Sequence, residues 1–211
     1  KRALNSAISA ANAAAADADY YTEATWADVT AALANAQKVA GDVIETQSVI
    51  DRYASALQNA VDSLEYQGAN YTALDAAKAA AEKILNDAKA DDTYTIATLA
   101  ALREKYDAAQ NIPTTGWDIR NQNAIDKAAN ELSAAVSGLV RFASYAQMQA
   151  AVTTFERLNA EFYDPADLAA LKVKVDAAKQ EMLRENRLDI TKQADVNARA
   201  MALMKEINSL Q

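Results

Sequence analysis

The chain has 211 residues, a net charge of −8 at pH 7 and a sequence pI of about 4.6. An acidic surface repels phosphate backbones, so we expect neither nucleic acid nor an anionic membrane as a partner. The sequence has no cysteine and no histidine, which excludes thiol nucleophiles, disulfides, zinc clusters and a Ser-His-Asp triad.

The first predicted element, helix A, is amphipathic and is expected over roughly residues 4–17. Its apolar residues recur at helical spacing and define one face. Similar stripes open at Leu74 and Met148, predicting the same helix over roughly 74–90 and 148–161. The stripe residues of the first copy are Leu4, Ala7, Ile8 and Ala11.

Helix B follows a tyrosine that recurs as Tyr21, Tyr94 and Tyr163. We expect each tyrosine ring to close one end of a helical bundle while its hydroxyl stays in water. Trp26 occupies the place of Leu99 and Leu168, and a position that accepts both residue types is predicted to lie in a core. In the third copy Asp164 is a favoured N-cap and Pro165 a favoured first helical residue.

Helix C carries the strongest signal, a 19-residue motif that occurs three times without a gap: Thr46–Leu64, Asn121–Leu139 and Lys192–Leu210. One glutamine and several apolar positions coincide in all copies. The aligned glutamines are Gln47, Gln122 and Gln193. The apolar residues form one helical stripe, and Thr46 is predicted to cap the first copy.

Three copies of A-B-C predict an all-α protein of three tandem antiparallel three-helix bundles, elongated and spectrin-like. The expected domains are residues 1–67, 68–141 and 142–211. Residues 140–146 hold no glycine or proline, so we expect helix C of the second bundle to continue into helix A of the third. Gly68 makes the first connection the expected bend.

The first repeat resembles the FIVAR module. Its matching residues are Tyr21-Thr22, Thr25-Trp26, Ala32-Leu33, Ala36 and the helix C residues Ala54, Leu57 and Leu64. The second repeat keeps Tyr94-Thr95 and Gln122 but has Leu99 in place of the tryptophan, and the third, divergent repeat keeps only traces. The resemblance implies a non-catalytic three-helix bundle of a large secreted or wall-anchored protein of a Gram-positive bacterium.

Two aromatic residues are candidate ligand contacts. Trp117 has no counterpart in the other repeats, and Tyr20 stands beside the recurrent Tyr21. Each could pack against a neighbouring element or form an exposed platform for a glycan or protein. The acidic pairs Asp17/Asp19 and Asp91-Asp92 lie outside any EF-hand pattern and are interpreted as helix caps and solvated loops. We therefore predict no catalytic, cofactor or metal site.

These features favour a monomeric spacer or interaction module, cut from a larger extracellular, secreted or cell-wall-associated bacterial protein. An alternative is a specific binding module, as in an adhesin, that recognises a host or bacterial surface protein or a glycan through a helical face. No apolar run approaches the roughly 18 residues of a membrane-spanning helix, so no membrane insertion is expected.

Overall fold

The structure, a computed structural model, describes residues 1–210 and confirms the all-α prediction. Within that range it contains ten α-helices and no β-strand. The helices are α1 (Arg2–Ala14), α2 (Glu23–Gly41), α3 (Gln47–Asp62), α4 (Thr72–Leu85), α5 (Ala90–Thr93), α6 (Ile96–Gln110), α7 (Gln122–Ser137), α8 (Ala146–Glu156), α9 (Pro165–Glu181) and α10 (Gln193–Asn208).

The helix starts follow the expected capping chemistry. The Thr46 hydroxyl accepts a hydrogen bond from the backbone of Val49 at 3.4 Å. The Asp164 carboxylate accepts one from Ala166 at 2.7 Å, ahead of a helix that opens with Pro165. These bonds satisfy amides that the first helical turn leaves without an intrahelical partner. Helix A ends earlier than expected, since α1 passes at Ala15 into a 3₁₀ turn that ends at Tyr20.

The described residues form two compact units. The first comprises Lys1–Ala73 and Pro113–Lys127. Its helices α1, α2 and α3 pack around one apolar core, with Trp26 and Leu33 half-buried against it. The buried members are Leu4, Ala7, Ala11, Val29, Ala36, Val39, Ile50, Ala54 and Leu57.

The second unit comprises Leu74–Ile112 and the chain from Ala128 onward. Helices α8, α9 and α10 pack around their own core, which is rich in alanine and valine. Its buried residues are Ala143, Tyr145, Met148, Ala151, Val152, Leu171, Val175, Ala178, Val196, Ala200, Leu203 and Ile207. In the same unit α4 buries Leu74 and α6 buries Leu99 and Leu102. The division into domains 1–67, 68–141 and 142–211 stays a prediction.

The prediction of one continuous helix across residues 140–146 is wrong. Helix α7 ends at Ser137 and α8 begins at Ala146, and the residues between Gly138 and Ala146 are not helical. The reason lies in tertiary structure, because the backbone groups of this segment pair with chain segments on both sides. The rod-like sharing of helices that a spectrin-like array requires is therefore absent at this point.

Candidate functional site

The connection Glu65–Tyr71, called the first junction, is bound to the corner that precedes α2. The backbone N–H of Thr22 donates to the carbonyl of Glu65 at 2.8 Å. The N–H of Gln67 donates to the carbonyl of Tyr20 at the same distance. Tyr21 and Tyr66 thereby form an antiparallel β-bridge. The recurrent tyrosine thus stands at a backbone pairing point as well as at the end of a bundle.

The opposite side of the first junction pairs with the segment ahead of α7. The N–H of Ile119 donates to the carbonyl of Gln67 at 2.8 Å. The side chain of Gln122 then closes the pairing, since its Oε1 accepts from the N–H of Asn70 at 2.7 Å and its Nε2 donates to the Asn70 carbonyl at 2.9 Å. The first junction is therefore held through its backbone on both sides.

An aromatic and cationic cluster covers the first junction. The rings of Tyr21 and Tyr66 stack with centroids 4.8 Å apart, and Trp26 stacks on Tyr21 at 6.0 Å. The guanidinium carbon of Arg120 lies 3.6 Å from the centre of the Tyr66 ring. Asp118 fixes that guanidinium from the side, with bonds of 3.0 Å from Nε and 2.7 Å from a terminal nitrogen. Such a geometry combines a cation–π contact with a bidentate ion pair.

The cluster shifts the proton affinities of its members. A hydrogen bond with Tyr66, followed by burial, raises the pKa of Tyr21 to about 12. Tyr21 is buried as a whole residue, and the expectation that its hydroxyl stays in water remains a prediction. The hydrogen bond from Arg120 lowers the pKa of Asp118, and the same bond raises the pKa of Arg120. The ion pair therefore stays charged at neutral pH.

The second junction, Val140–Tyr145, repeats the pattern with different residues. On one side the N–H of Thr95 donates to the Val140 carbonyl at 2.8 Å, and the N–H of Phe142 donates to the Thr93 carbonyl at 3.0 Å. On the other side the N–H of Ala143 donates to the Leu188 carbonyl at 2.8 Å. These bonds use the backbone groups that a continuous helix would need.

The glutamine pairing recurs at the second junction. Gln193 Oε1 accepts from the N–H of Ser144 at 2.6 Å, and its Nε2 donates to the Ser144 carbonyl at 2.9 Å. Sequence reasoning found the aligned glutamines but assigned them no role. The available signal was a polar residue that coincides in all copies of the motif yet lies outside its apolar stripe.

Ion pairs take the place of stacked tyrosines at the second junction. Arg184 donates to the carboxylate of Asp91 at 2.8 Å, and Arg103 approaches the same oxygen at 3.2 Å. The guanidinium carbon of Arg187 lies 5.9 Å from the centre of the Phe142 ring. The Tyr145 hydroxyl accepts from the N–H of Leu188 at 3.1 Å, and burial raises the pKa of this tyrosine.

The two candidate ligand contacts lie in different surroundings. Tyr20 is 44% exposed, and its carbonyl accepts the bond from Gln67. Trp117 is half-buried, between Gly116, whose φ of 78° favours glycine, and Asp118. Both residues are close in sequence to groups that hold the first junction. A ligand-binding role for either stays a prediction.

A cleft of about 610 Å³ opens beside the second junction. Arg141, Phe142 and Arg187 line part of it. Residues 1–210 contain no cluster of three or more acidic, histidine or cysteine side chains placed to hold a metal ion. None of the helices in that range has the length and apolar character to cross a membrane.

No family model matches the chain, so the FIVAR resemblance stays a prediction. No curated protein matches it either. Among solved structures, the chain is similar to the crystal structure of EbhA (756–1003 domain) from Staphylococcus aureus, with 20% sequence identity over 99% of this chain and 78% of that chain. The TM-score of 0.33 is too low to establish a shared fold.

Proposed function

We propose that the chain is a non-catalytic helical spacer and interaction module of a larger bacterial cell-surface or secreted protein. The observation that supports this best is the double pairing of each junction. Glu65–Tyr71 and Val140–Tyr145 are each bonded through the backbone to elements on both sides. A flexible linker would leave these groups to water, whereas a paired segment restricts the motion of the elements that it connects.

The mechanism is steric and mechanical. Bundle cores built from small aliphatic residues fold locally, and the junctions limit bending between successive helices. The paired glutamines Gln122 and Gln193 add two bonds each without requiring a particular junction sequence, because the junction atoms that they bind belong to the backbone. The module would hold a functional domain at a distance from the surface that anchors it.

Stiffness at the first junction can be measured within the full chain. The sequence has no cysteine, so the substitutions Ser55→Cys and Asn123→Cys introduce the only two labelling sites. Both positions are exposed and lie in the first unit. Double electron–electron resonance should give one narrow distance distribution, and adding Gln122→Ala should broaden it. A broad distribution in the parent chain would contradict the spacer proposal.

The proposed location has a separate test. Its support is the resemblance of the first repeat to FIVAR modules. Intact cells that produce the protein should allow a membrane-impermeant amine reagent to label its lysines without lysis. Labelling only after lysis would place the protein inside the cell and would reject the surface assignment while leaving the spacer role open.

A specific binding module is the second candidate. The cleft beside the second junction favours it, because its volume lies in the range typical of ligand sites. However, Arg187 already donates to the Met182 carbonyl at 2.8 Å. A glycan array and a titration with surface proteins would test this candidate. Binding that Arg141→Ala abolishes and that Arg52→Ala leaves unchanged would favour it over a plain spacer.

A further inference from the structure

The loop Asp42–Gln47 of the first repeat corresponds to the segments that bind the junctions in the other two repeats. The motif places three glutamines in one column: Gln47, Gln122 and Gln193. Three residues before them stand three isoleucines: Ile44, Ile119 and Ile190. The first repeat therefore carries the two residue types that bind a junction elsewhere. We call Asp42–Gln47 the acceptor loop.

The corresponding isoleucines form the same bond in both later repeats. The N–H of Ile119 donates to the carbonyl of Gln67 at 2.8 Å. The N–H of Ile190 donates to the carbonyl of Arg141 at 2.9 Å. In each junction one carbonyl, that of Gln67 or Arg141, thus accepts from an isoleucine amide. The amide three residues later donates to a glutamine side chain.

Within residues 1–210, the N–H of Ile44 and the side chain of Gln47 have no backbone partner from another segment. The N–H of Ile44 donates instead to the carboxylate of Asp42 at 2.9 Å, so a side chain stands in for the missing carbonyl. Val43 and Ile44 are 91% and 92% exposed, whereas Ile190 is 48% exposed. Two adjacent aliphatic side chains exposed to this degree form an apolar surface that another chain segment could cover.

Gln47 is already oriented for the same pairing. Its Nε2 donates to Asp51 at 2.7 Å, just as Gln122 Nε2 donates to Asp126 at 2.8 Å. Within residues 1–210 its side chain has no other hydrogen bond, and it is exposed. Its Oε1 and second N–H are therefore free to receive the backbone of one residue.

The register identifies the segment that would reach this loop. The first apolar residues of the three copies of helix A are Leu4, Leu74 and Met148. Lys1 therefore aligns with Tyr71 and Tyr145, each three residues earlier. Lys1 Nζ donates to the Asp42 carbonyl at 2.6 Å, and the Tyr71 hydroxyl similarly reaches the Pro113 carbonyl at 2.8 Å. A residue joined ahead of Lys1 would then take the position of Asn70 or Ser144, which the glutamine binds.

We propose that the acceptor loop binds an extended junction segment of a further repeat joined directly ahead of Lys1. The N–H of Ile44 leaves Asp42 and donates to a backbone carbonyl of that segment. Gln47 accepts from the N–H, and donates to the carbonyl, of the residue that precedes Lys1. Val43 and Ile44 lose exposure against the added segment. This site lies outside both junctions and does not depend on the function proposed for the array.

The test is a tandem chain made from two complete copies. Arg-Phe-Ala-Ser, a copy of Arg141–Ser144, joins the carboxyl end of the first copy to Lys1 of the second, and only the second copy is isotope-labelled. Amide exchange at Ile44 should slow at least about tenfold relative to the single chain, since a bond shielded by a docked segment opens less often. Gln47→Ala in the second copy should remove most of this protection.

The matched control is Gln58→Ala, at a site on the same helix whose Nε2 also bonds a carboxylate four residues on, Asp62, at 2.8 Å. It should leave the Ile44 protection unchanged. A linker with proline in place of its Ala and Ser has no backbone N–H at these two positions and cannot donate to Gln47. This linker should therefore not protect Ile44. Exchange as fast as in the single chain, or equal protection with the proline linker, would overturn the proposal. Protection that rises with protein concentration would indicate binding between separate molecules and would also overturn it.

Discussion

Gln122 and Gln47 occupy the same position in two copies of one motif, yet only Gln122 binds the backbone of a junction. Its side-chain amide pairs with both polar backbone groups of Asn70. Within residues 1–210, the side chain of Gln47 bonds only to Asp51, on its own helix. The bond to a carboxylate on the same helix is therefore common to both glutamines, whereas the bonds to Asn70 are formed only where a junction is present.

Gln122→Ala should release the first junction at its downstream end. Two exposed neutral hydrogen bonds contribute about 1–2 kcal/mol together. Amide exchange at Asn70 should accelerate about tenfold, because its acceptor is removed. Gln47→Ala serves as the control and should change the free energy of unfolding by less than about 0.5 kcal/mol, as surface substitutions usually do. Equal losses would mean that the glutamine acts through its helix alone.

Arg120→Lys should weaken the cluster over Tyr66 although it keeps the charge. Lysine provides neither the planar stacking surface nor the bidentate fork that Asp118 receives. The expected loss is about 0.5–1 kcal/mol, the range of an exposed cation–π contact. Thermal unfolding measures it. Arg52→Lys is the comparison, since Arg52 lies 5.0 Å from the centre of the Tyr53 ring and forms no ion pair with a carboxylate within residues 1–210. An equal shift in both variants would refute a special role for Arg120.

Stability should fall at alkaline pH through Tyr21. Its pKa is about 12 in the folded chain and about 10 when unfolded. The folded state therefore favours the protonated phenol, and the stabilisation is complete below pH 10 and is lost as pH rises through 12. Urea unfolding of the first unit at pH 9 and 11 should show this loss, and Tyr21→Phe should reduce it. Tyr20→Phe, at the exposed neighbour, should leave the pH dependence as it is. A pH dependence unchanged by Tyr21→Phe would count against the assignment.

Trp26→Ala should destabilise the first unit by about 2–3 kcal/mol, at or below the lower end of the range for a fully buried tryptophan. The sequence predicted a core position, but the ring is half-buried, stacking on Tyr21 at 6.0 Å while packing on the core. Thermal unfolding of Trp26→Ala and Leu57→Ala tests this, since Leu57 is fully buried. A loss at Trp26 above about 4 kcal/mol would show that the exposed part of the ring contributes as well.

The helices were predictable because their apolar spacing and caps are local in sequence. The caps at Thr46 and Asp164 follow from residues within one turn. The junctions were not predictable in this way. Val140–Tyr145 contains no helix breaker, and its backbone partners lie more than 40 residues away, at Thr93, Thr95 and Leu188. Nothing local stops a helix there, and tertiary pairing holds the segment in a non-helical conformation.

The same reasoning explains the partial success at the candidate site. The alignment of Gln47, Gln122 and Gln193 was visible in the sequence, whereas the junction partners of Gln122 and Gln193 were not, because Asn70 and Ser144 differ in residue type and are bound through their backbone atoms. Trp117 attracted attention as an unmatched aromatic residue. The neighbouring Asp118 recurs as Asp189 in the third repeat, whereas Arg120, which stacks on Tyr66, has Thr191 in its place and no pattern that would single it out.

Hydrogen exchange across the second junction gives the sharpest test of its geometry. The amides of Phe142, Ala143 and Ser144 each donate to a partner outside the junction, whereas the amide of Arg141 has no acceptor within residues 1–210. Arg141 should therefore exchange at least about tenfold faster than Phe142 and Ala143, because only bonded amides must wait for an opening event. A continuous helix would protect all four amides alike, and a mobile linker would protect none. Ala143→Pro, which deletes the donor to Leu188, should raise the exchange of Phe142 as well, since the two bonds hold one segment from opposite sides.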